Sequence, residues 1–180
     1  MIKGFINLLT LLRIFLAIFI STLIIFEDLY TLALILFCLA GISDYFDGYL
    51  ARKYNATSEI GEILDPIADK ILIIFILFTL SVNLSSYIIG FLSAIIISRE
   101  IWVSALRDFS SRKDISAATK VTYIAKIKTS AQLFTILIYL FGLASNIMIF
   151  ILLGDILLIL STLITIYTGY EYTFNVYKNI

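Results

Sequence analysis

The sequence has no histidine, one cysteine and one proline in 180 residues. Without histidine there is no imidazole to ligate a metal or act as a general base. Any metal must then be held by oxygen, and hard cations such as Mg²⁺ or Mn²⁺ suit such a donor set. The single Cys38 excludes an intramolecular disulfide and lies in an apolar run as a small packing residue. Scarce proline and glycine leave nothing to build a long linker, so one domain over residues 1–180 is expected. Charge is also sparse. Charged residues make up 14%, against roughly 25% in an ordinary globular chain, and no basic block points to nucleic acid.

What fills the sequence instead is apolar. At 61% hydrophobic residues, a soluble domain would lack the polar side chains to cover its surface, so the solvent facing most of this chain is lipid. Six stretches suffice to cross a bilayer core of ~30 Å, which takes about 20 helical residues. They run approximately over 11–26, 31–51, 63–82, 87–107, 124–144 and 147–168. The expected fold is an all-α integral membrane protein, a six-transmembrane-helix bundle. Met1 to about Leu12, with Lys3 and Arg13 around an apolar stripe, is expected as a short N-terminal interfacial helix. The segment is read as retained, because no small-residue cleavage site follows it. Short connections (27–30, 83–86, 145–146) predict that successive helices pack antiparallel and side by side. Lys3, Arg13, Arg52, Lys53, Arg112, Lys113, Lys120, Lys126, Lys128 and Lys178 gather toward one side of the spans. The positive-inside rule then puts both termini and the 52–60 loop in the cytoplasm.

Acidic residues beside apolar spans are costly, at ~2.5–3.5 kcal/mol each near the bilayer centre. Asp44, Asp47, Asp65 and Asp69 therefore need a partner. At ~100° per residue, Asp44, Asp47, Gly48 and Ala51 share a stripe at the inner end of the second helix. Gly61, Asp65 and Asp69, spaced by four, form another at the start of the third. If these helices pack together, four carboxylates converge in one pocket and repel one another unless one or two divalent cations neutralise them. A cluster merely solvated by interfacial water is the competing structural explanation. Gly48, Ala51 and Gly61 lack bulk where helices and a nucleotide approach closely, and Arg52 is placed to meet a phosphate. Pro66 removes a backbone donor early in the third helix. An ion path through the membrane would spread its acids across the bilayer, and a structural scaffold would not need this spacing.

The pattern D-x2-D-G-x2-A-R-x8-G-x3-D-x3-D, complete at Asp44, Asp47, Gly48, Ala51, Arg52, Gly61, Asp65 and Asp69, resembles the signature of the CDP-alcohol phosphatidyltransferases. The resemblance implies that Asp44, Asp47, Asp65 and Asp69 hold two divalent metal ions, Mg²⁺ or Mn²⁺, with Asp69 also serving as general base. It implies that Gly48, Ala51, Arg52 and Gly61 border the CDP group. Asn7, Thr10 and Arg13 resemble the N-x2-T-x2-R opening of the bacterial phosphatidylglycerophosphate synthase branch, which adds Asn7 and Thr10 to the CDP side. Ser98-Arg99-Glu100, Ser104-Ala105-Leu106-Arg107 and Ala125-Lys126-Ile127-Lys128-Thr129 resemble further elements of that branch, with Ala125 in place of a glycine. The last span matches only in hydrophobicity.

That branch implies CDP-diacylglycerol and glycerol 3-phosphate as substrates, a homodimer, and the cytoplasmic membrane of a bacterium. Inositol phosphate and phosphatidylglycerol are the alternative acceptors. An anionic acceptor also agrees with the charges. Arg99, Val103 and Arg107 share a face of the fourth helix, while Lys126 and Lys128 begin the fifth at similar depth, so all four cations are candidates for the acceptor phosphate. The alternatives are anchoring to lipid headgroups and, for Arg99, pairing with Glu100. Glu59 and Glu62 are read as solvated charges or outer helpers, and Glu100 and Asp155 as interior acids without an assigned role.

Overall fold

A computed structural model describes the backbone of residues 2–26, 28–53, 59–113, 115, 119 and 123–179. Within it, the side chains of residues 2–7, 45, 47–53, 59, 60, 62, 63 and 126 fall outside the described set. The described chain is all helical. Its six α-helices are α1 (Ile2–Phe26), α2 (Tyr30–Lys53), α3 (Glu59–Asn83), α4 (Tyr87–Arg112), α5 (Tyr123–Ser145) and α6 (Met148–Lys178). Helices of this length follow from long apolar runs with almost no breaker. Even Pro66 is carried inside α3, at the cost of one intrahelical hydrogen bond.

Three tight turns close one end of the bundle, and each uses a non-glycine residue in the left-handed region: Asp28 (φ 51°), Ser85 (φ 48°) and Asn146 (φ 56°). At the second and third turns the backbone makes the paired bonds of a Schellman cap. Ser86 N–H donates to the Ser81 carbonyl and Ser85 N–H to Val82; Ile147 N–H donates to Gly142 and Asn146 N–H to Leu143. These bonds satisfy carbonyls that a helix end would otherwise leave bare. The opposite end carries the start of α1, the end of α6 and the helix ends that the two longer connections join.

Among the described residues, four stretches are long and apolar enough to cross a membrane: Leu8–Phe26, Tyr87–Arg112, Tyr123–Ser145 and Met148–Lys178; α2 adds a shorter apolar run, Tyr30–Asp44. Large side chains such as Phe15 (70% exposed), Phe78 (63%) and Phe91 (69%) point away from the bundle. An aqueous surface would not carry them in such number, whereas a lipid one accepts them. Several such helices in one chain make it a multi-pass membrane protein. The apolar core lies toward the turn end, where Ile20 and Ile24 of α1 meet Ile76, Leu77 and Leu80 of α3 and Ile136 and Leu140 of α5. Gly154 lets α6 approach α5 closely. A Cβ there would lie 2.7 Å from the ring of buried Tyr139, whose hydroxyl donates to Asp155 Oδ1 at 2.6 Å.

Two expectations need correction. Residues 2–12 form no separate interfacial helix, because α1 is continuous from Ile2 to Phe26; the segment contains no proline to break it, and only Gly4 weakens it. Nor, among the described residues, do α2 and α3 pack on each other. Among the described residues each contacts α1 instead, α3 most extensively, and α2 also contacts α5. α1 is thus the helix that joins the two acidic elements. Its polar face, Thr10 and Arg13, is buried, as a charged side chain in a span must be when it has partners inside the bundle.

Candidate active site

The acidic residues do converge, through α1. Thr10 and Arg13 are three residues apart and share a face of that helix. Thr10 Oγ1 donates to Asp65 Oδ1 at 2.7 Å. Arg13 Nη1 lies 2.9 Å from Asp44 Oδ1 and 2.9 Å from Asp69 Oδ1, so the two carboxylate oxygens are no farther apart than twice that distance. Arg13 is 1% exposed, whereas the side chains of Asp44 and Asp69 remain 48% and 36% exposed. The guanidinium is therefore locked in while both carboxylates keep an open side. Among the described residues Arg13 pairs with two carboxylates while Thr10 holds a third, Asp65, beside them, so these groups retain an excess of negative charge.

Arg13, Asp44 and Asp69 lie 13, 14 and 14 residues from the turn ends of their helices, or about 20 Å at 1.5 Å per residue. That places them at one common depth, nearer the end that carries the termini. A second polar cluster shares this depth. Glu100 of α4 pairs with Lys128 of α5 in a close contact, with Arg99 Nη1 at 3.1 Å and with Lys70 Nζ at 3.9 Å. Lys128 and Arg99 are buried, and Arg99 Nη2 also donates to Thr168 Oγ1 at 2.8 Å. The two clusters meet along a cavity of about 360 Å³ lined by Asp69, Lys70, Arg99, Glu100, Arg107 and Lys128 among others. One wall is a carboxylate with an open side, and the other is a cationic cradle.

A model of the CDP-alcohol phosphatidyltransferase family matches residues 5–167. The chain belongs to this family. Among similar CDP-alcohol phosphatidyltransferases, the protein from Rickettsia bellii (strain RML369-C) is 41% identical over 142 residues, spanning 78% of this chain and 76% of the relative. That from Rickettsia felis (strain ATCC VR-1525 / URRWXCal2) is 39% identical over the same shares. The Escherichia coli (strain K12) protein is 37% identical over 101 residues, 56% of each chain. All three are named CDP-diacylglycerol–glycerol-3-phosphate 3-phosphatidyltransferase.

Members of the CDP-alcohol phosphatidyltransferase family are in general metal-dependent. Among the described residues no three acidic, cysteine or histidine side chains close into a ready metal cage. Asp47, the fourth aspartate of the motif, lies outside the described side chains, as do Asn7, Gly48, Ala51, Arg52 and Lys126. The donors present nevertheless suit a hard cation. Carboxylates from two helices approach one point, Asp69 among them lines the cavity, and a positive group already bridges two of them. Gly61 is buried near the start of α3.

Other expected residues stand as follows. Thr10 touches Asp65 directly, which puts it within the acid cluster. Arg99 makes the expected alternative pair with Glu100 and still lines the cavity, as Lys128 and Arg107 do. Arg112 pairs with Asp108 on the exposed surface at 2.6 Å. Sequence reasoning gave no site role to Arg13 itself, to Lys70 or to Glu100, nor to Thr168 of α6. The available signal was an acid and two bases (Lys70, Glu100 and Arg13) inside segments otherwise apolar. In α6 it was the Ser/Thr series 161, 162, 165 and 168, all buried along one helix.

Proposed function

We propose that this chain transfers the phosphatidyl group of CDP-diacylglycerol to glycerol 3-phosphate, forming phosphatidylglycerophosphate and CMP. The observation that carries the reading is the cavity in which Asp69 faces Lys70, Arg99, Arg107 and Lys128. It offers a base beside a cationic cradle that suits the phosphate of a phosphorylated alcohol. The names of the relatives point to the same two substrates.

Asp69 would take the proton from the attacking hydroxyl of glycerol 3-phosphate. The new bond forms between that oxygen and the lipid-bearing phosphorus, and the bond from this phosphorus to the oxygen of CMP breaks. Arg13 keeps the Asp69 carboxylate aimed by drawing Oδ1 toward α1, leaving its open side for the hydroxyl. Thr10 holds Asp65 in the same way. Asp44, Asp47, Asp65 and Asp69 would hold two divalent ions, Mg²⁺ or Mn²⁺. When bound, such ions polarise the pyrophosphate and stabilise negative charge on the departing CMP. Asn7, Gly48, Ala51, Arg52 and Gly61 would border the nucleotide.

All six helices would cross the bilayer, with the termini and cavity at the cytoplasmic side of a bacterial inner membrane. The lysine and arginine distribution supports that orientation, and the exposed apolar faces support lipid contact. A homodimer follows from family likeness alone. Purified protein given labelled CDP-diacylglycerol with glycerol 3-phosphate, inositol phosphate or phosphatidylglycerol tests the acceptor. The expected product appears only with the first; if none forms there while another acceptor is consumed, the assignment fails.

A further inference from the structure

Behind the two arginines that line the cavity lies a helix that the proposed reaction does not use. α6 lies against α4, and a short stretch of it grips the two arginines of α4. Tyr172 is fully buried. Arg99 Cζ lies 5.6 Å from its ring centroid and Arg107 Cζ 5.4 Å from it. The two arginines are eight residues apart, about 12 Å along a helix, so a single ring spans from one guanidinium to the other. Thr168 accepts from Arg99 Nη2, and Gly169 gives Arg99 its room: a Cβ there would lie 3.0 Å from Arg99 Cγ and 3.6 Å from Nε. Arg107 is exposed and makes no ion pair among the described residues, so the ring is what steadies it.

Holding a cation on a ring differs from holding it with an acid. A carboxylate cancels the charge and consumes the N–H donors that a phosphate needs. The ring face attracts the cation through its quadrupole and leaves charge and donors available. Glu100 already balances Lys128, Arg99 and Lys70. A second acid against these arginines would silence the cradle, whereas a tyrosine orders it and keeps it positive.

We propose that Tyr172, with Gly169 beside it, is a positioning residue for acceptor recognition: it presents Arg99 and Arg107 to the phosphate of a phosphomonoester alcohol. The inference rests on the acceptor reading above, and acts only through the two arginines.

The test is steady-state kinetics of the full-length protein in mixed micelles, varying glycerol 3-phosphate and CDP-diacylglycerol separately, for Tyr172→Leu, Tyr172→Phe and Gly169→Ala. Tyr172→Leu is expected to raise KM for glycerol 3-phosphate by about tenfold, the order of two partly desolvated cation–π contacts. Its kcat and its KM for CDP-diacylglycerol stay within about twofold of the parent, the pattern of lost acceptor binding alone. Tyr172→Phe, which keeps the ring face, stays close to the parent. Gly169→Ala, which pushes on Arg99, raises the same constant in the same direction. The proposal is overturned if Tyr172→Leu leaves acceptor KM unchanged, if both substrates weaken equally, or if phenylalanine is as damaging as leucine. Should leucine prevent folding, the phenylalanine and Gly169→Ala variants decide on the same constant. A parent protein that makes no phosphatidylglycerophosphate instead overturns the acceptor reading beneath, and that result is visible before any variant is measured.

Discussion

Two polar clusters share one depth in this bundle and are built as inverses. Among the described residues, Arg13 pairs with Asp44 and Asp69 with Asp65 beside them, while around Glu100 stand three cations, from Lys70, Arg99 and Lys128. Each cluster places one group of opposite sign at its centre, which limits self-repulsion in a medium that screens poorly. Each keeps an excess of its majority charge. The first therefore has capacity left for cations and the second for an anion, and Asp69 and Lys70, adjacent in sequence, join the two. The proposed reaction would use metal ions and a base on one side and a phosphorylated alcohol on the other, and Asp69 is the acid that reaches the cavity lined by the cations.

The comparison can be broken most severely on the acid side. Removing divalent ions with a chelator is expected to abolish CMP release, and adding Mg²⁺ or Mn²⁺ in excess to restore it, since the carboxylates alone cannot stabilise the departing nucleotide. Activity that persists in chelator would remove the acid cluster's proposed purpose. Asp69→Asn keeps the shape and deletes the base, and a fall in kcat of about 10²–10⁴ is expected. Turnover near the parent value would assign the proton to another group.

On the basic side the expected loss is one of acceptor binding. Lys128→Met takes away the partner closest to Glu100 and a charge from the cradle, and KM for glycerol 3-phosphate is expected to rise by about tenfold or more. KM for CDP-diacylglycerol should hold, and a matching rise there would mean that the two clusters are not separate in function. Away from both, Gly154→Ala forces a methyl group against the buried Tyr139 ring, so about 1–3 kcal/mol of overpacking is expected. A lower melting temperature with intact kinetic constants would check it. The smallest effect belongs to Arg112→Ala, which deletes an exposed i,i+4 pair with Asp108. No measurable change in melting temperature or rate is expected, and a large one would give the surface pair an unforeseen part.

Much of this was legible before any coordinates. Hydrophobic runs and scarce breakers announced the helices, and boundaries mostly agreed within a few residues at the turn end. At the other end the helices run on beyond the apolar limits, as with α1 from Ile2 and α6 to Lys178, because helical hydrogen bonding does not stop where hydrophobicity does. The motif spacing marked Asp44, Asp65 and Asp69 because a helix puts residues three or four apart on one face. Arg13 was visible only as one letter of an N-terminal pattern, and Glu100 only as an acid out of place.

Long apolar runs determined the all-helical membrane architecture, helical spacing the acidic stripes, and likeness of the motif to a known signature the family. Only the tertiary structure decided that α1 stands between α2 and α3, that Glu100 gathers cations from three helices, and that Tyr172 lies against two arginines. A sequence pattern specifies which side chains share a face of their own helix. Which faces meet depends on how six helices fill space together, and no single segment carries that information.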